Sequence, residues 1–203
     1  MKHEHAGQSN NRFVLASASP RRRGLLSEWG FEFDVVPSHV DEPDAAEMGG
    51  SAADVAKALS TFKAEHVSKI RPDSIVLGAD TVVALDGVLY GKPNDADDAR
   101  RILSILMHHT HEVITGVTLI DGKTQRCEVA VDESHITMTP MTPSQLDAYI
   151  ESGLWQGKAG AYGVQDHDDQ FVKRLDGSFT NVVGLPKELV TSMLARFGIE
   201  PTR

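Results

Sequence analysis

The chain has 203 residues, 40% of them hydrophobic, enough for one compact unit with a sizeable core. Its 29 acidic and 20 basic side chains give a formal net charge of −9, which argues against a nucleic-acid surface dominated by phosphate contacts but not against a small anion held by local cations and a divalent metal. No apolar run approaches the roughly 20 residues that span a bilayer, and MKHEHAGQSNN lacks the apolar core of a signal peptide, so the expectation is a cytoplasmic protein with no membrane partner.

The tail over 1–11 reads as disordered, and residues 12–203 as a single domain. Phe13 to Ala16 forms a first strand, Ser17-Ala18-Ser19-Pro20 a tight loop, and RRRGLLSEW a helix that stops at Gly30. Ser19 suits the N-cap and Pro20 the first helical position, which puts Arg21, Arg22 and Arg23 in the first turn. Cations are out of place at the positive end of a helix dipole unless an anion sits there. Alternation in FEFDVVP predicts a second strand. After the loop SHVDEPDAAEMGG, a helix runs from about Ser51 to Ile70, with Ser51 and Asp54 as a capping pair. Lys63 falls only ~40° from Leu59 on the helical wheel, inside the apolar stripe, so it must snorkel out or serve a purpose. SIVLGADTVVAL is a strand of β-branched and aliphatic residues interrupted by Asp80, an acid that is costly to bury unpaired. Asp86-Gly87 turns that strand into VLYGKP. Asn94 caps a helix through Met107, and HEVITGVTLI pairs with the segment after Asp121-Gly122. Thr142 and Pro143 begin a helix that Gly153 ends. A glycine-rich loop from Gly157 to Gly163, a strand around Phe171 to Leu175, a turn at Asp176-Gly177 and a helix after Pro186 complete the chain. Helices interleave with strands that share tight hairpins, so the fold class is α/β, a mixed β-sheet flanked by helices.

The loop from Ser17 to Arg22 combines hydroxyls, a helix N-terminus and forked guanidiniums, the groups that hold phosphate oxygens. The plainer alternative is a solvated basic turn with Ser19 as a cap. Asp80 is either functional or the partner of a structural arginine. Lys63, and Lys92 between Gly91 and Pro93, can clamp phosphates, while Glu42 beside Asp41 can share a divalent cation with Asp80. His108, His109 and His111 contain no helical i, i+4 pair and read as structural or exposed rather than metal-binding. The single cysteine, Cys127, lies in the alternating stretch TQRCEVAVD and reads as an inert strand thiol. There is no G-x-x-x-x-G-K-[ST] loop, no G-x-G-x-x-G after a strand and no G-x-S-x-G elbow, so kinase-like and dinucleotide-dependent functions drop out.

With these pieces in place, the chain resembles the Maf family of nucleotide pyrophosphatases from Leu15 to Pro186. The matching motifs are LASASPRR (15–22), the Asp41-Glu42 pair, ALSTFKA (58–64), LGADTVV (77–83), GKP (91–93), HEVITGV (111–117), KAGAYGVQ (158–165) and GSFTNVVGLP (177–186). The resemblance implies an elongated α/β fold like that of inosine triphosphate pyrophosphatases, with two lobes around a cleft, assembly as a homodimer, and dependence on a divalent metal such as Mg2+ or Mn2+. Carried over by motif, Asp80 is the proton acceptor. Ser17, Arg21, Arg22, Glu42, Lys63, Lys92 and Gln165 line the site, with Asp80 and Glu42 on the metal. Arg22, Thr81 and Gln165 match positions linked to base choice and resemble the dTTP and UTP branch. Gly157 stands where an acid commonly precedes Lys-Ala-Gly, and Asp166 where glycine usually follows the glutamine.

The expected activity is therefore hydrolysis of the α–β phosphoanhydride of a pyrimidine nucleoside triphosphate. A non-enzymatic alternative, implied by the family's association with septum formation, is a cell-division regulator that binds nucleotide without turnover. A carboxylate within an apolar strand together with two positioned lysines speaks for catalysis.

Overall fold

A computed structural model describes residues 12–38, 43, 45, 48–164 and 171–202; the tail over 1–11 lies outside them. The order is β1 (Phe13–Leu15), α1 (Pro20–Glu28), β2 (Asp34–Val35), α2 (Ala52–Ile70), β3 (Ile75–Leu85), β4 (Val88–Tyr90), α3 (Ala96–Leu106), β5 (Thr110–Asp121), β6 (Cys127–Met138), α4 (Pro143–Ser152), a 3-10 turn at Ala159–Ala161, β7 (Val172–Asp176), α5 (Phe179–Val183) and α6 (Lys187–Arg196). The described strands form one sheet in the order β2-β1-β3-β5-β6-β7, with β4 also on β3. β2, β1 and β3 are parallel to one another, and every other pairing is antiparallel. The sheet is mixed because the hairpins at Asp86-Gly87 and after Asp121 force antiparallel neighbours, whereas α1 and α2 return the chain in the same direction.

The extent of β2, the cap of α3 and the segment after Gly177 differ from the sequence reading. β2 is confined to Asp34–Val35 because β1 offers it only two partners, Val14 and Leu15. Asp95, not Asn94, caps α3: its carboxylate accepts from the Asp98 N–H at 2.8 Å, while the Asn94 N–H donates back to the Asp98 carboxylate. The segment after Gly177 contains a short helix, α5, capped by Ser178 and closed at Gly184 with φ 119°. Its apolar residues are too few to show a period.

One face of the sheet carries the main core, against which α3 and α6 contribute Leu103, Leu106, Val190 and Met193. The opposite face is covered by α2, which is drawn unusually close. A Cβ on Gly78 would lie 2.3 Å from the Ser60 carbonyl oxygen, and one on Gly116 2.1 Å from that of Ala56. Only glycine permits this approach. Ser60 and Thr118 bond across the seam at 2.8 Å, and the next turn of α2 carries Lys63 over β3. Cys127 is exposed at the start of β6, its thiol pKa pushed up by partial burial and by the Glu65 and Glu128 carboxylates, so it is a poor nucleophile.

Candidate active site

β1 pairs with β3 only as far as Leu77, and β4 begins pairing at Val83. The stretch of β3 between them, Gly78 to Val82, therefore borders an opening at the carboxyl end of β1, the place where open α/β sheets receive ligands. A cleft of about 890 Å3 occupies it, a size that accommodates a nucleotide. Its walls come from the β1–α1 loop, β3, the loop after β4, the turn over 156–164 and the end of α5. The Gly160 N–H donates to the Gly91 carbonyl at 3.1 Å and ties two of those walls together.

Ser17, Arg21, Arg22, Lys63, Asp80, Thr81 and Lys92 all line this one cleft. Glu42, with Asp41, and Gln165, with Asp166, lie outside the described residues. Alternation along β3 sends Asp80 and Thr81 to opposite faces. Asp80 turns toward α2 and forms an ion pair with Lys63, whose side chain is 7% exposed against 13% for the carboxylate. Its partner is thus a lysine from the apolar stripe of α2 rather than an arginine. The geometry fixes the carboxylate in place at the cleft wall.

The three arginines of α1 separate. Ser19 caps the helix by accepting from the Arg22 N–H, and no acid occupies the first turn. Arg22 points inward and is 9% exposed. Its Nε donates to the Gly184 carbonyl at 2.8 Å, Nη1 to Ser17 Oγ at 3.3 Å and Nη2 to Thr81 Oγ1 at 3.0 Å. It joins the β1–α1 loop, β3 and the end of α5. Arg21 remains in the cleft, and Arg23 is exposed.

A family model described as "Maf-like protein" matches residues 12–197. The chain belongs to the Maf family. It is 39% identical to a dTTP/UTP pyrophosphatase of Bacillus pumilus over 191 residues, covering 94% of this chain and 99% of the relative. It is 42% identical to a dTTP/UTP pyrophosphatase of Bdellovibrio bacteriovorus over 187 residues, covering 91% and 97% respectively.

Within this Maf fold the cleft also holds residues to which the sequence assigned no role. Lys158 lines it beside Gly157, from the Lys-Ala-Gly motif. Tyr162 forms its inner wall and shares a 2.7 Å hydrogen bond with Nε2 of His111, which is buried in β5. Desolvation lowers the His111 pKa to about 4, opposed in part by the nearby carbonyls of His109 and Leu106, although Nδ1 makes no hydrogen bond of ordinary geometry. The same burial raises the Tyr162 hydroxyl pKa well above its usual value. His108 and His109 are exposed. Among the described residues, Glu112, Glu133 and His135 bring ligand atoms within 4.8 Å of one another on β5 and β6, but none of them lines the cleft.

Among the described residues no helix is long and apolar enough to cross a membrane.

Proposed function

We propose that this chain hydrolyses the α–β phosphoanhydride of dTTP and UTP, releasing the monophosphate and pyrophosphate. The observation that carries the reading is the convergence of the Asp80–Lys63 pair and the cationic first turn of α1 on one cleft, in a chain that matches proteins named dTTP/UTP pyrophosphatase along most of its length.

In this mechanism Asp80 accepts a proton from the attacking water. The water oxygen bonds to the α-phosphorus, the bond from the α-phosphorus to the bridging oxygen breaks, and pyrophosphate leaves with that electron pair. Lys63 keeps the Asp80 carboxylate aligned and offsets its charge as phosphate approaches. Arg21, through its guanidinium and its own backbone N–H, and Lys92 hold the polyphosphate, whose charge grows on its oxygens in the transition state. Gln165 addresses the base edge.

Mg2+ and similar ions ask for one or two carboxylates, with phosphate and water supplying the remaining ligands. The Asp80 carboxylate, on the cleft wall among phosphate-binding cations, fits that demand, and Glu42 would be the second ligand. Such an ion, when bound, neutralises phosphoryl charge and makes bound water more acidic. Assembly as a homodimer and residence in the cytoplasm belong to the same reading, and light scattering tests the first.

The deciding experiment incubates the pure protein with Mg2+ and dTTP, UTP, CTP, ATP or GTP and assays pyrophosphate. Release that is fastest with dTTP and UTP is expected. Release of orthophosphate instead, or a preference for GTP, overturns the assignment.

A further inference from the structure

Two hydroxyls face the cleft side by side, each bonded to one end of the same guanidinium: Ser17 Oγ on Arg22 Nη1 at 3.3 Å, and Thr81 Oγ1 on Arg22 Nη2 at 3.0 Å. A hydroxyl has one proton to donate and two lone pairs to accept with, so its remaining capacity can be counted. Ser17 accepts from the Arg22 guanidinium and from the Ser19 N–H at 3.2 Å. Both lone pairs are taken. Ser17 is only 6% exposed, and its O–H is left to donate into the cleft.

Thr81 is the opposite case. Behind it lies Thr115, 0% exposed and absent from the cleft wall. Thr115 bonds to the Asn181 carbonyl at 3.0 Å. A carbonyl can only accept, so the single proton of Thr115 is committed there. In the 2.9 Å contact between Thr81 and Thr115, Thr81 must therefore be the donor. Its proton points away from the cleft, one lone pair takes the Arg22 N–H, and what remains toward the cleft is one lone pair. A phosphate oxygen, itself an acceptor, gains nothing from it. A ligand N–H does.

Resting on the nucleotide reading above, we propose that Thr115 is a positioning residue that fixes Thr81 as an acceptor, and so makes the Ser17–Thr81 pair a reader of a carbonyl adjacent to a ring N–H. Uracil and thymine present that order at their imide edge. Cytosine, held in the same register by its ribose and phosphates, puts an amine on Ser17 and an unprotonated ring nitrogen on Thr81, donor against donor and acceptor against acceptor. Guanine carries the uracil-like order on a larger ring, so the ring-matched pair of UTP and CTP isolates the effect.

The test is calorimetric binding of the α,β-methylene analogues of UTP and CTP, which needs no turnover. The parent should bind the UTP analogue about tenfold or more tightly than the CTP analogue, as expected when a site leaves a buried polar group mismatched. In Thr115→Val the Thr81 proton is released and can turn toward cytosine. The preference should shrink to about twofold, chiefly through tighter binding of the CTP analogue, while Thr115→Ser keeps the parent ratio. A parent that binds both analogues equally overturns the proposal, as does a folded Thr115→Val with the parent ratio, since a purely structural threonine would change both affinities together. If Thr115→Val does not fold, Thr81→Val takes its place. It should weaken the UTP analogue about tenfold and leave the CTP analogue unchanged, and equal weakening of both overturns the proposal. A parent that releases no pyrophosphate from UTP refutes the catalytic reading separately, because the binding ratio is still read.

Discussion

Asp80 and Thr81 are neighbours on one strand, yet they belong to two different structures. Asp80 faces α2 and meets a single buried lysine through an ion pair. Thr81 faces the other way, into a chain of hydroxyls and carbonyls of Thr115, Asn181 and Gly184 gathered around the Arg22 guanidinium. The period of two in a strand thus separates a charged side, suited to moving a proton, from a hydrogen-bonded side, suited to telling one ligand edge from another. The two sides rest on different supports. The first depends on how closely α2 lies on the sheet, the second on where α5 ends.

The largest expected effect breaks the charged side alone. Asp80→Asn keeps the shape of the side chain but removes the proton acceptor, so pyrophosphate release should fall by ~10^3-fold. The binding preference between UTP and CTP analogues should survive, because nothing in the Thr81 chain has changed. Loss of both together would show that the two sides are not separable.

Next comes the support beneath the charged side. Gly78→Ala would place a Cβ 2.3 Å from the Ser60 carbonyl and 2.9 Å from the Ala64 side chain, backbone and packed atoms that cannot turn aside. Overpacking of this kind should cost about 3 kcal/mol in urea unfolding. By lifting α2 it should also lower kcat through the displaced Lys63. A stability change below about 0.5 kcal/mol would mean that α2 is not seated on the sheet as described.

Much of this arrangement was legible in the sequence, and the limits have physical causes. Asp80 and Lys63 each broke an apolar pattern, and a polar residue in a buried stripe needs a partner, so both stood out. Only the family resemblance set Arg22 apart from Arg21 and Arg23, since helical position alone does not say which of three adjacent side chains turns inward. Thr115 gave no signal, because threonine is an ordinary strand residue and its role arises from a carbonyl 66 positions away. The mixed sheet followed from the hairpins, whereas α5, five residues long, left no period to read.

A smaller effect bears on the hydrogen-bonded side. His111 lies on the same face of β5 as Thr115, behind Tyr162, with a folded pKa of about 4 against an ordinary value of 6.5. The unfolded chain takes up a proton near 6.5 and the folded chain resists it until near 4, so stability is constant above about pH 7 and falls as pH drops between those values. The loss between pH 7 and pH 5 should be about 2 kcal/mol. The capping carboxylates Asp54 and Asp98 are held below their ordinary range, chiefly by the Ser51 hydroxyl and by the Asn94 backbone N–H respectively, and exchange protons below that window. Urea unfolding at the two pH values should show the loss in the parent and a much smaller one in His111→Gln. An equal loss in both would place the titrating group elsewhere.

The smallest effect separates two adjacent arginines. No hydrogen bond or ion pair among the described residues holds Arg21, which lines the cleft, whereas Arg22 is built into the polar chain. Removing Arg21 takes away a phosphate contact and also relieves cation repulsion at the positive end of α1. Arg21→Ala should therefore raise KM for UTP about tenfold, with Tm unchanged or slightly higher. Arg22→Ala should behave in the opposite way at the level of stability. It strips the buried Gly184 carbonyl of a charged donor and leaves Thr81 and Ser17 without their shared anchor, which costs about 1–3 kcal/mol, or several degrees in Tm for a chain of this size. It should also weaken the UTP preference through Ser17, whose hydroxyl regains a lone pair and can turn, whereas Thr115 still fixes the Thr81 proton. If instead Arg21→Ala melts as early as Arg22→Ala while its kinetics stay normal, the first turn of α1 is a structural cluster, and the phosphate must be held by Lys92 and the far wall of the cleft.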